Sequence, residues 1–285
     1  MGFFKGKTIV ITGGGGVLCS AMAEGLAAEG ARIAILNRTL EKGERVAGRI
    51  KSAGGEAVAV RCDVLSMESL KAAKAESEAA LGPCDILING AGGNDPRGTT
   101  SKEYWTSWAA DKAADAAAAT PLGSFFAMEE AGFRAVFDLN FLGTFLTIQA
   151  FARDMIGRPG AAILNVSSMG SFAPLTKIPA YSAAKAAVNS FTSWLAVHFA
   201  EAGLRVNAIA PGFFLTEQNR NLLLKEDGSP SDRTKKILAA TPMRRLGEPG
   251  DLVGTTKWLC DASASGFVTG IVVPVDGGFM AYSGV

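Results

Sequence analysis

Short apolar runs rich in Val, Ile and Leu recur along the chain and alternate with longer, Ala-rich segments. The runs are continuous rather than alternating, which is typical of strands covered on both faces. Seven predicted strands result: Thr8–Thr12, Arg32–Leu36, Ala57–Arg61, Ile86–Asn89, Ala162–Val166, Arg205–Ile209 and Ile271–Val275. The intervening segments predict helices, among them Ser20–Glu29, Glu41–Ser52 and residues 67–81, 132–151 and 181–200.

Regular alternation of strand and helix predicts an α/β fold, a Rossmann-like, doubly wound parallel sheet of about seven strands. No linker rich in Pro, Gly or Ser divides the chain, so residues 1–285 are expected to form a single domain. Residues 94–133 interrupt the rhythm with Trp105, Trp108 and an Ala-rich run, Ala109–Ala119, that is expected to be helical. A connection of this length is either a functional lid or a mobile loop.

Composition narrows the class of partner. Hydrophobic residues make up 48% of the 285 residues and charged residues 19%, which is enough to bury a sizeable core. The formal net charge of +1 gives no electrostatic reason to expect a nucleic acid or an anionic membrane as partner. No apolar run reaches about 18 residues, so no membrane span is expected. A small-molecule partner is the expectation that remains.

The cysteines and the single histidine bear on metals and compartment. Cys19, Cys62, Cys84 and Cys260 form no C-x-x-C pair, and His198 stands alone, so no metal site is expected. Scattered thiols are typical of a reducing cytoplasm. The first twelve residues carry no signal-peptide pattern, so a cytoplasmic location is predicted.

A glycine-rich turn joins the first predicted strand to the first helix, with the sequence TGGGGVLC at residues 12–19. At such a turn, backbone N–H groups and the positive end of the helix dipole face a pyrophosphate. Glycine lets the backbone approach a ligand closely. The turn therefore favours dinucleotide binding over the alternative, a plain tight turn.

Three further positions extend this cofactor hypothesis. Asn37 and Arg38 end the second strand, where a carboxylate would select a free 2′-hydroxyl; neutral Asn37 and cationic Arg38 instead favour NADP(H), with NAD(H) possible. Arg38 is alternatively a solvated charge. Asp63 follows the third strand, where it can accept from adenine, and N-G-A-G at residues 89–92 follows the fourth. Either is alternatively an ordinary turn or cap.

A second constellation suggests proton transfer. Tyr181 and Lys185 lie four residues apart at the start of a predicted helix, and so on one helical face, where Lys⁺ is expected to lower the pKa of the tyrosine. Ser168 follows the fifth strand, at the sheet edge where a hydroxyl can stabilise a developing alkoxide. Asn140 lies among apolar neighbours in a helix. It holds a proton-relaying water or is a core amide bonded to backbone.

Together these residues resemble the short-chain dehydrogenase/reductase family over essentially the whole chain. The matching pieces are residues 12–19, Asp63, residues 89–92, Asn140, Ser168, Y-S-A-A-K at 181–185, Pro211-Gly212 with Thr216, and V-D-G-G at 275–278. The resemblance implies a catalytic tetrad of Asn140, Ser168, Tyr181 and Lys185, a nicotinamide cofactor and a homotetramer. The implied cofactor-binding residues are Gly13, Gly15, Gly16, Val17, Leu18, Asn37, Arg38, Asp63, Val64, Asn89, Gly90, Ala91, Tyr181, Lys185, Pro211, Gly212, Phe214 and Thr216.

Two departures from the family pattern stand out. Val17 and Cys19 occupy the last two glycine positions of T-G-x-x-x-G-x-G. The family's N-N-A-G has become N-G-A-G, with Gly90 in place of an asparagine. The first departure bears on cofactor affinity, and the second removes one side-chain amide.

Within that family, GAGGNDP at the start of the long excursion, PGFFLTEQNR at 211–220 and the ending PVDGGFMAYSGV resemble the D-mannonate oxidoreductase (fructuronate reductase) branch. The resemblance implies a sugar-acid substrate, with candidate contacts at Asn94, Arg97, Gln218, Asn219 and Arg220; each is alternatively a loop-surface residue. Two other hypotheses remain: a reductase of another keto-sugar, similar to gluconate 5-dehydrogenases, and a non-catalytic nucleotide-sensing protein.

Overall fold

The computed structural model describes residues 2–105, 123–216 and 219–284. Its centre is a seven-stranded parallel sheet with the strand order β3-β2-β1-β4-β5-β6-β7. The strands are β1 (Thr8–Thr12), β2 (Arg32–Asn37), β3 (Glu56–Arg61), β4 (Ile86–Asn89), β5 (Ala162–Val166), β6 (Arg205–Pro211) and β7 (Val272–Val275). The predicted Rossmann-like α/β fold, with a single sheet of seven strands, is confirmed.

Helices connect the strands on both faces of this sheet. They are α1 (Val17–Ala27), α2 (Leu40–Ser52), α3 (Met67–Leu81), α4 (Glu130–Phe137), α5 (Gly143–Met155), α6 (Pro179–His198), α7 (Arg220–Leu223), α8 (Asp232–Ala240), α9 (Asp251–Cys260) and α10 (Ala262–Ser265). The predicted Ala109–Ala119 helix and Trp108 lie outside the described residues.

The sheet separates two hydrophobic cores, and alternate residues of its central strands pack into one or the other. In β1, Ile9 and Ile11 belong to the cluster that α1, α2 and α9 cover, whereas Val10 belongs to the cluster covered by α3, α5 and α6. Both sides of β1 are therefore apolar, and all five of its residues are buried. Burial on both faces explains why the strands read as continuous rather than alternating apolar runs.

The structure moves several predicted boundaries. Helix α1 begins at Val17, three residues before the predicted Ser20, because the glycine turn leads directly into the helix. Strand β6 continues to Pro211 rather than ending at Ile209. Helices α8 and α9 follow β6 in a part of the chain for which the apolar pattern predicted neither.

A π-helical segment, Asp138–Leu142, joins α4 to α5. The continuous stretch Glu130–Met155 is long and apolar enough to cross a membrane by length and composition alone, but close to half of its most apolar window is buried inside the protein. Helices of a protein core pass the same test of length and composition.

Strand order determines where a ligand can bind. The chain runs outward from β1 through β2 to β3 and then returns to β4 on the other side of β1. In open parallel sheets the crevice for ligands lies beyond the carboxyl ends of the strands at this point of reversal. Residues that follow β1, β4 and β5 are therefore placed around one crevice.

Candidate active site

The glycine turn closes over the end of β4. Gly13 has φ of +65°, and a Cβ there would lie 2.9 Å from the backbone of Ala91. Thr12 ties the same two segments together, because its Oγ1 accepts hydrogen bonds from the N–H of Gly90 (3.2 Å) and of Ala91 (3.3 Å). Position 13 therefore requires glycine for both conformation and space. Sequence reasoning did not identify Thr12 as a member of the site.

The next two glycines pack against protein. A Cβ on Gly14 would lie 2.9 Å from Cγ2 of Ile35, and one on Gly15 would lie 2.8 Å from Cβ of Lys42. Approach to a ligand was the expected reason for these glycines. In the structure, tight packing of the turn against β2 and α2 already requires them.

The turn delivers the amino end of α1 to the crevice. N-terminal N–H groups of an α-helix have no intrahelical acceptor, and they carry the positive end of its dipole. The N-cap, Gly16, supplies no side-chain hydrogen bond, and the first turn of α1 contains no acidic residue. The amino end of α1 at Gly16, Val17 and Leu18 therefore forms a position suited to a phosphate group.

Asn89 at the end of β4 carries a buried polar atom without a partner. Its Nδ2 donates to Oδ1 of Asn165 at 2.9 Å, while Asn89 Oδ1 has no hydrogen-bond partner among the described residues. A buried acceptor left unpaired is costly unless a ligand or water satisfies it. This atom and the glycine cradle both fit a dinucleotide lying across the ends of β1 and β4.

Cations gather at the end of β2. Asn37 is half-buried, and its Nδ2 donates to the Thr39 carbonyl at 2.7 Å. Arg38 is exposed, and its guanidinium has no partner within the described ranges. Lys42 is also exposed, with its Cβ against Gly15. Asn37, Arg38 and Lys42, which lie nearest the turn, therefore make this end of β2 neutral to positive.

Asp63 and Val64 follow β3. Asp63 is half-buried, and its Oδ1 accepts from the N–H of Leu65 at 3.0 Å, which is an ordinary turn contact. Val64 is buried, and its Cγ2 lies 2.8 Å from where Gly143 would carry a Cβ. One oxygen of Asp63 is thus used within the turn, and the second has no hydrogen bond among the described residues.

Cys19 and Gly90, two of the three residues that depart from the family pattern, lie against each other. A Cβ on Gly90 would lie 2.2 Å from Sγ of Cys19, and Sγ itself lies 3.9 Å from the Gly90 carbonyl oxygen. The Cys19 thiol therefore fills the volume that a side chain at position 90 would need. Burial raises the pKa of Cys19 to about 12, so this thiol is a neutral packing group at physiological pH. Cys19 therefore requires a residue without a side chain at position 90, and the Thr12 carbonyl oxygen, 2.9 Å from the same Cβ position, adds to that requirement.

Steric coupling of Cys19 and Gly90 predicts a non-additive double-mutant cycle. Gly90→Ala alone should destabilise the protein by about 1–3 kcal/mol through overpacking. In Cys19→Ala/Gly90→Ala part of that cost should disappear, because a Cβ at 90 then no longer meets Sγ of Cys19; the close contact that remains is the carbonyl oxygen of Thr12, at 2.9 Å. Urea unfolding measures the coupling energy, which we expect at about 1–2 kcal/mol. Additive costs would show that the two positions are independent.

Tyr181 and Ser168 meet across the crevice from the turn. Tyr181 lies in the first turn of α6 and is half-buried; Ser168 lies just beyond β5 and is buried. Withdrawal from solvent raises the pKa of Tyr181, and a hydrogen bond with Ser168 acts in the opposite direction. Ser168 Oγ also accepts from the N–H of Gly170 at 3.1 Å, which fixes the hydroxyl.

Lys185 does not lower the pKa of Tyr181 in the manner expected from sequence. Its Nζ donates to the Val166 carbonyl at 2.7 Å and lies 5.7 Å from the centroid of the Tyr181 ring. Lys185 is only 4% exposed, and burial lowers its own pKa to about 8. The expectation failed because burial disfavours the charged form of both groups, and spacing along a helix does not reveal burial.

Asn140 adopts the second of its two predicted roles. It is fully buried in the π-helical segment, and its Nδ2 donates to the carbonyls of Gly93 and Val136, each at 2.7 Å, while Oδ1 accepts from the N–H of Gly93 at 3.2 Å. Both amide hydrogens are therefore used by backbone, and the structure gives the water relay no support. Asn140 holds the chain at Gly93 over Lys185.

Gly92 marks the point where these groups converge. A Cβ on Gly92 would lie 2.6 Å from Oδ1 of Asn140 and 3.3 Å from Nζ of Lys185. The structure therefore brings together all four residues expected to form the tetrad, at the ends of β4 and β5. Gly92 itself was noticed only as part of a motif.

A supporting network went unnoticed in the sequence. Ser167 Oγ donates to Oδ1 of Asn189 at 2.5 Å, and Asn189 Nδ2 donates to Oγ of Ser171 at 2.7 Å. These contacts tie the loop after β5 to α6, and so fix Ser168 relative to Tyr181. Asn189 lies one helical turn beyond Lys185, which is the only signal that the sequence carries.

The loop after β6 is closed against β7. The N–H of Gly212 donates to the Val275 carbonyl at 2.9 Å, and a Cβ on Gly212 would lie 2.7 Å from Asp276. Phe214 is buried against Gly247, and Pro211 ends β6. Thr216 follows at the edge of the described residues, where its N–H donates to Asn219 Oδ1 at 2.8 Å.

Two of the five substrate candidates are engaged within the protein. Asn219 also donates from Nδ2 to the Phe214 carbonyl at 2.8 Å, so its side-chain amide holds the loop after β6 together. The Arg97 guanidinium forms two hydrogen bonds to Asp95, at 3.0 and 2.8 Å, and they hold the pKa of that carboxyl down at about 2. Sequence could not show these pairings. Asn94 and Arg220 are exposed, and Gln218 lies outside the described residues.

No group of three or more His, Cys, Asp or Glu side chains that could hold a metal ion occurs among the residues that the structure describes. Fixed in one crevice are a phenol, a serine hydroxyl and a buried ammonium, beside a glycine turn suited to phosphate. Such a set can hold a polyphosphate cofactor and move a proton to or from a carbonyl or alcohol oxygen.

Known proteins are similar to this chain over nearly its whole length. The family model described as short chain dehydrogenase matches residues 7–227. A Bacillus subtilis strain 168 protein named "Uncharacterized oxidoreductase UxuB" is 56% identical over 280 residues, covering 98% of this chain and 97% of its own. A Formosa agariphila 2-dehydro-3-deoxy-D-gluconate 5-dehydrogenase is 32% identical over 281 residues, with 98% and 95% covered.

Among solved structures, a Haemophilus influenzae protein described as a candidate D-mannonate oxidoreductase, crystallised with NAD bound, superposes with a TM-score of 0.92. It is 49% identical, with 99% of this chain and 97% of that chain covered. The similarity therefore extends over the whole crevice and not only over the glycine turn.

Proposed function

The chain belongs to the short-chain dehydrogenase family, and on that premise we propose that it interconverts a keto sugar acid and its alcohol with a nicotinamide cofactor. The observation that carries the proposal is the convergence of Tyr181, Ser168 and buried Lys185 beside an uncapped helix end. When bound, the nicotinamide supplies or accepts the hydride.

The chain's own residues supply orientation and the proton. Tyr181 donates its hydroxyl proton to the carbonyl oxygen during reduction and recovers one from the alcohol during oxidation. Because the pKa of Tyr181 is raised, the phenol stays protonated at neutral pH, which favours its use as the acid in reduction. Ser168 holds the same oxygen by a hydrogen bond and positions it for transfer. Lys185 provides a positive charge at the base of the crevice.

D-Fructuronate and D-mannonate are the proposed substrate pair. Support comes from the relative described as a candidate D-mannonate oxidoreductase and from the full-length similarity to it. The test is oxidation of NADPH or NADH by purified protein with D-fructuronate and a panel of keto-uronates and keto-aldonates. D-Fructuronate should give the highest kcat/KM. Absence of turnover throughout the panel would refute the sugar-acid proposal.

A second candidate is reduction of another keto-aldonate. The relative named 2-dehydro-3-deoxy-D-gluconate 5-dehydrogenase supports it, at lower identity. The same panel separates the two, since this enzyme would favour a 5-keto-gluconate-type substrate over D-fructuronate. A non-catalytic sensor is the weaker alternative, because sensing requires neither the Tyr181–Ser168 contact nor a buried lysine.

NADP(H) is the proposed preferred cofactor, and NAD(H) is proposed to bind as well. Exposed, unpaired Arg38 and nearby Lys42 support the former, and the NAD-bound relative supports the latter. Arg38→Ala should weaken NADPH binding about 10- to 100-fold and NADH binding far less, because a charge-assisted hydrogen bond is worth roughly 1.5–3 kcal/mol. Fluorescence titration measures both constants. Equal losses would contradict a 2′-phosphate contact.

We further propose a homotetramer in the cytoplasm. On the outer face of α5 and α6, Phe145 (37% exposed) and Trp194 (57% exposed) flank Phe191, which supports a buried interface there. All four cysteines are buried and free, which supports a reducing compartment. Light scattering tests the assembly, since a monomer would contradict it, and cell fractionation tests the location.

A further inference from the structure

The loop after β5 is joined to α6 through one side-chain amide. Asn189 lies one helical turn beyond Lys185 and is half-buried. Its Oδ1 accepts from the Ser167 hydroxyl at 2.5 Å, and its Nδ2 donates to Oγ of Ser171 at 2.7 Å. One of these serines precedes Ser168 and the other follows it on the loop. The Asn189 amide therefore bridges the short segment that carries Ser168.

The number of available protons fixes the direction of these hydrogen bonds. Ser171 Oγ has one proton and donates it to the Ser168 carbonyl at 2.5 Å, so it can only accept from position 189. Ser167 Oγ has one proton as well, and Oδ1 of Asn189 is its nearest acceptor; the Lys185 carbonyl lies farther away, at 3.3 Å. An asparagine meets both demands at once, whereas an apolar side chain of the same size meets neither.

Ser168 is held both at its carbonyl and at its hydroxyl oxygen. Its carbonyl accepts from Oγ of Ser171 and from the N–H of the same residue, at 2.5 and 3.0 Å. Its Oγ accepts from the N–H of Gly170 at 3.1 Å, as the N-cap of the short 3-10 turn Met169–Ser171. Since the loop is the donor in each of these bonds, the single proton of the Ser168 hydroxyl is left for an acceptor in the crevice.

Asn189 can act on the chemistry only through this loop. Within the described ranges, its side chain is hydrogen-bonded to Ser167 and Ser171 alone. Resting on the proposed function, we propose that Asn189 is a positioning residue that holds the Ser168 hydroxyl as a hydrogen-bond donor to the substrate oxygen beside Tyr181. A displacement of about 1 Å in a reacting group can cost up to about 10²-fold in rate, so loss of the bridge is measurable.

Asn189→Leu tests this role, because leucine has a similar volume and removes both hydrogen bonds. We expect kcat for reduction of D-fructuronate, or of the panel keto acid that is turned over, to fall about 10-fold. KM and the cofactor dissociation constant should stay within about threefold, because Ser168 acts mainly on the developing alkoxide. Ser171→Ala breaks the same chain of hydrogen bonds at a second place and should give a similar loss, which keeps the test decisive if one variant folds poorly.

A double variant shows whether Asn189 acts through Ser168. Ser168→Ala should lower kcat about 10²-fold, the usual loss when a donor to a developing alkoxide is removed. Adding Asn189→Leu to Ser168→Ala should then lower kcat by less than about twofold more, because two residues that act through one hydroxyl are not additive. A general loosening of the active site would instead lower kcat about 10-fold in either background.

Ser193→Ala is the matched control for Ser171→Ala. Ser193 is exposed on α6, one helical turn beyond Asn189, and its hydroxyl donates to the Asn189 carbonyl at 3.4 Å. Removal of this hydroxyl leaves the side-chain amide and its two loop serines in place. The control should therefore keep the wild-type kcat, KM and cofactor affinity.

Two kinds of result would overturn the assignment, and they are distinguishable. If the wild-type protein reduces a keto sugar acid, but Asn189→Leu and Ser171→Ala keep the wild-type kcat, Asn189 does not position Ser168 and the proposed function stands. The same conclusion follows if Asn189→Leu costs as much without the Ser168 hydroxyl as with it. If the wild-type protein reduces no keto-uronate or keto-aldonate, the proposed function fails, and the role of Asn189 fails with it.

Discussion

Replacement of Tyr181 by phenylalanine should lower kcat by about 10²- to 10⁴-fold, the usual contribution of a positioned general acid. Phenylalanine keeps the ring and its packing in the first turn of α6, and it removes only the hydroxyl that meets Ser168. Cofactor affinity should stay within about twofold, because the glycine turn lies on a different strand end. Steady-state kinetics and a cofactor titration together make the measurement.

A control separates loss of the proton from loss of the fold. Tyr282, near the chain end and 44% exposed, offers a matched Tyr→Phe change that should leave kcat unaltered. If Tyr181→Phe kept more than a tenth of wild-type activity, another group would have to supply the proton, and Tyr181 would not be the general acid.

The pH dependence of kcat in the wild-type enzyme should differ between oxidation and reduction. Since the pKa of Tyr181 is raised, the phenol is protonated across the neutral range and is ready to act as an acid in reduction. Oxidation needs the phenolate, so its kcat should rise as pH increases, while kcat for reduction should fall only at alkaline pH. Loss of this rise in Tyr181→Phe would assign it to the tyrosine.

Replacement of Lys185 by methionine should separate stability from activity. The fall in the pKa of Lys185 from 10.5 to about 8 corresponds to a cost of about 3 kcal/mol for keeping the ammonium buried at pH 7. Methionine removes this cost, and the unpaired Val166 carbonyl offsets roughly 1–3 kcal/mol of the gain. Lys185→Met should therefore be at least as stable as wild type, yet kcat/KM should fall roughly 100-fold or more.

The pH dependence of that stability difference has a defined sign. Because the folded-state pKa lies below the unfolded one, the penalty is complete below pH 8 and disappears above pH 10.5. The free energy of unfolding of the wild type, measured in urea, should therefore rise by about 3 kcal/mol relative to that of Lys185→Met as the pH increases from 8 to 10.5. A difference that stays constant with pH would show that the lysine is not held in an apolar environment.

Sequence alone predicted most of the fold because its signal is local. Buried parallel strands read as continuous apolar runs, and every one of the seven was found within two residues at each end. Helix starts were harder. Val17 and Leu18 looked like part of the glycine turn, whereas in the structure they already form the first turn of α1.

The sequence did not reveal which side chains form hydrogen bonds or pack against one another. The family resemblance implied that Asn140, Ser168, Tyr181 and Lys185 share one crevice, but it did not show that the Asn140 amide is used by backbone. Nor did it show that Arg97 is hydrogen-bonded to Asp95, or that Cys19 fills the volume beside Gly90. Each of these depends on which side chain faces which, and only tertiary structure decides that.

We propose that this crevice transfers a hydride between a nicotinamide cofactor and a sugar acid. Product analysis tests it most directly: purified protein is incubated with D-fructuronate and NADPH or NADH, and D-mannonate is quantified by chromatography. The account predicts one D-mannonate formed for each cofactor oxidised, with none formed by Tyr181→Phe above about one hundredth of that rate. Protein that binds the cofactor and yields no sugar-acid alcohol from any keto-uronate or keto-aldonate would contradict it.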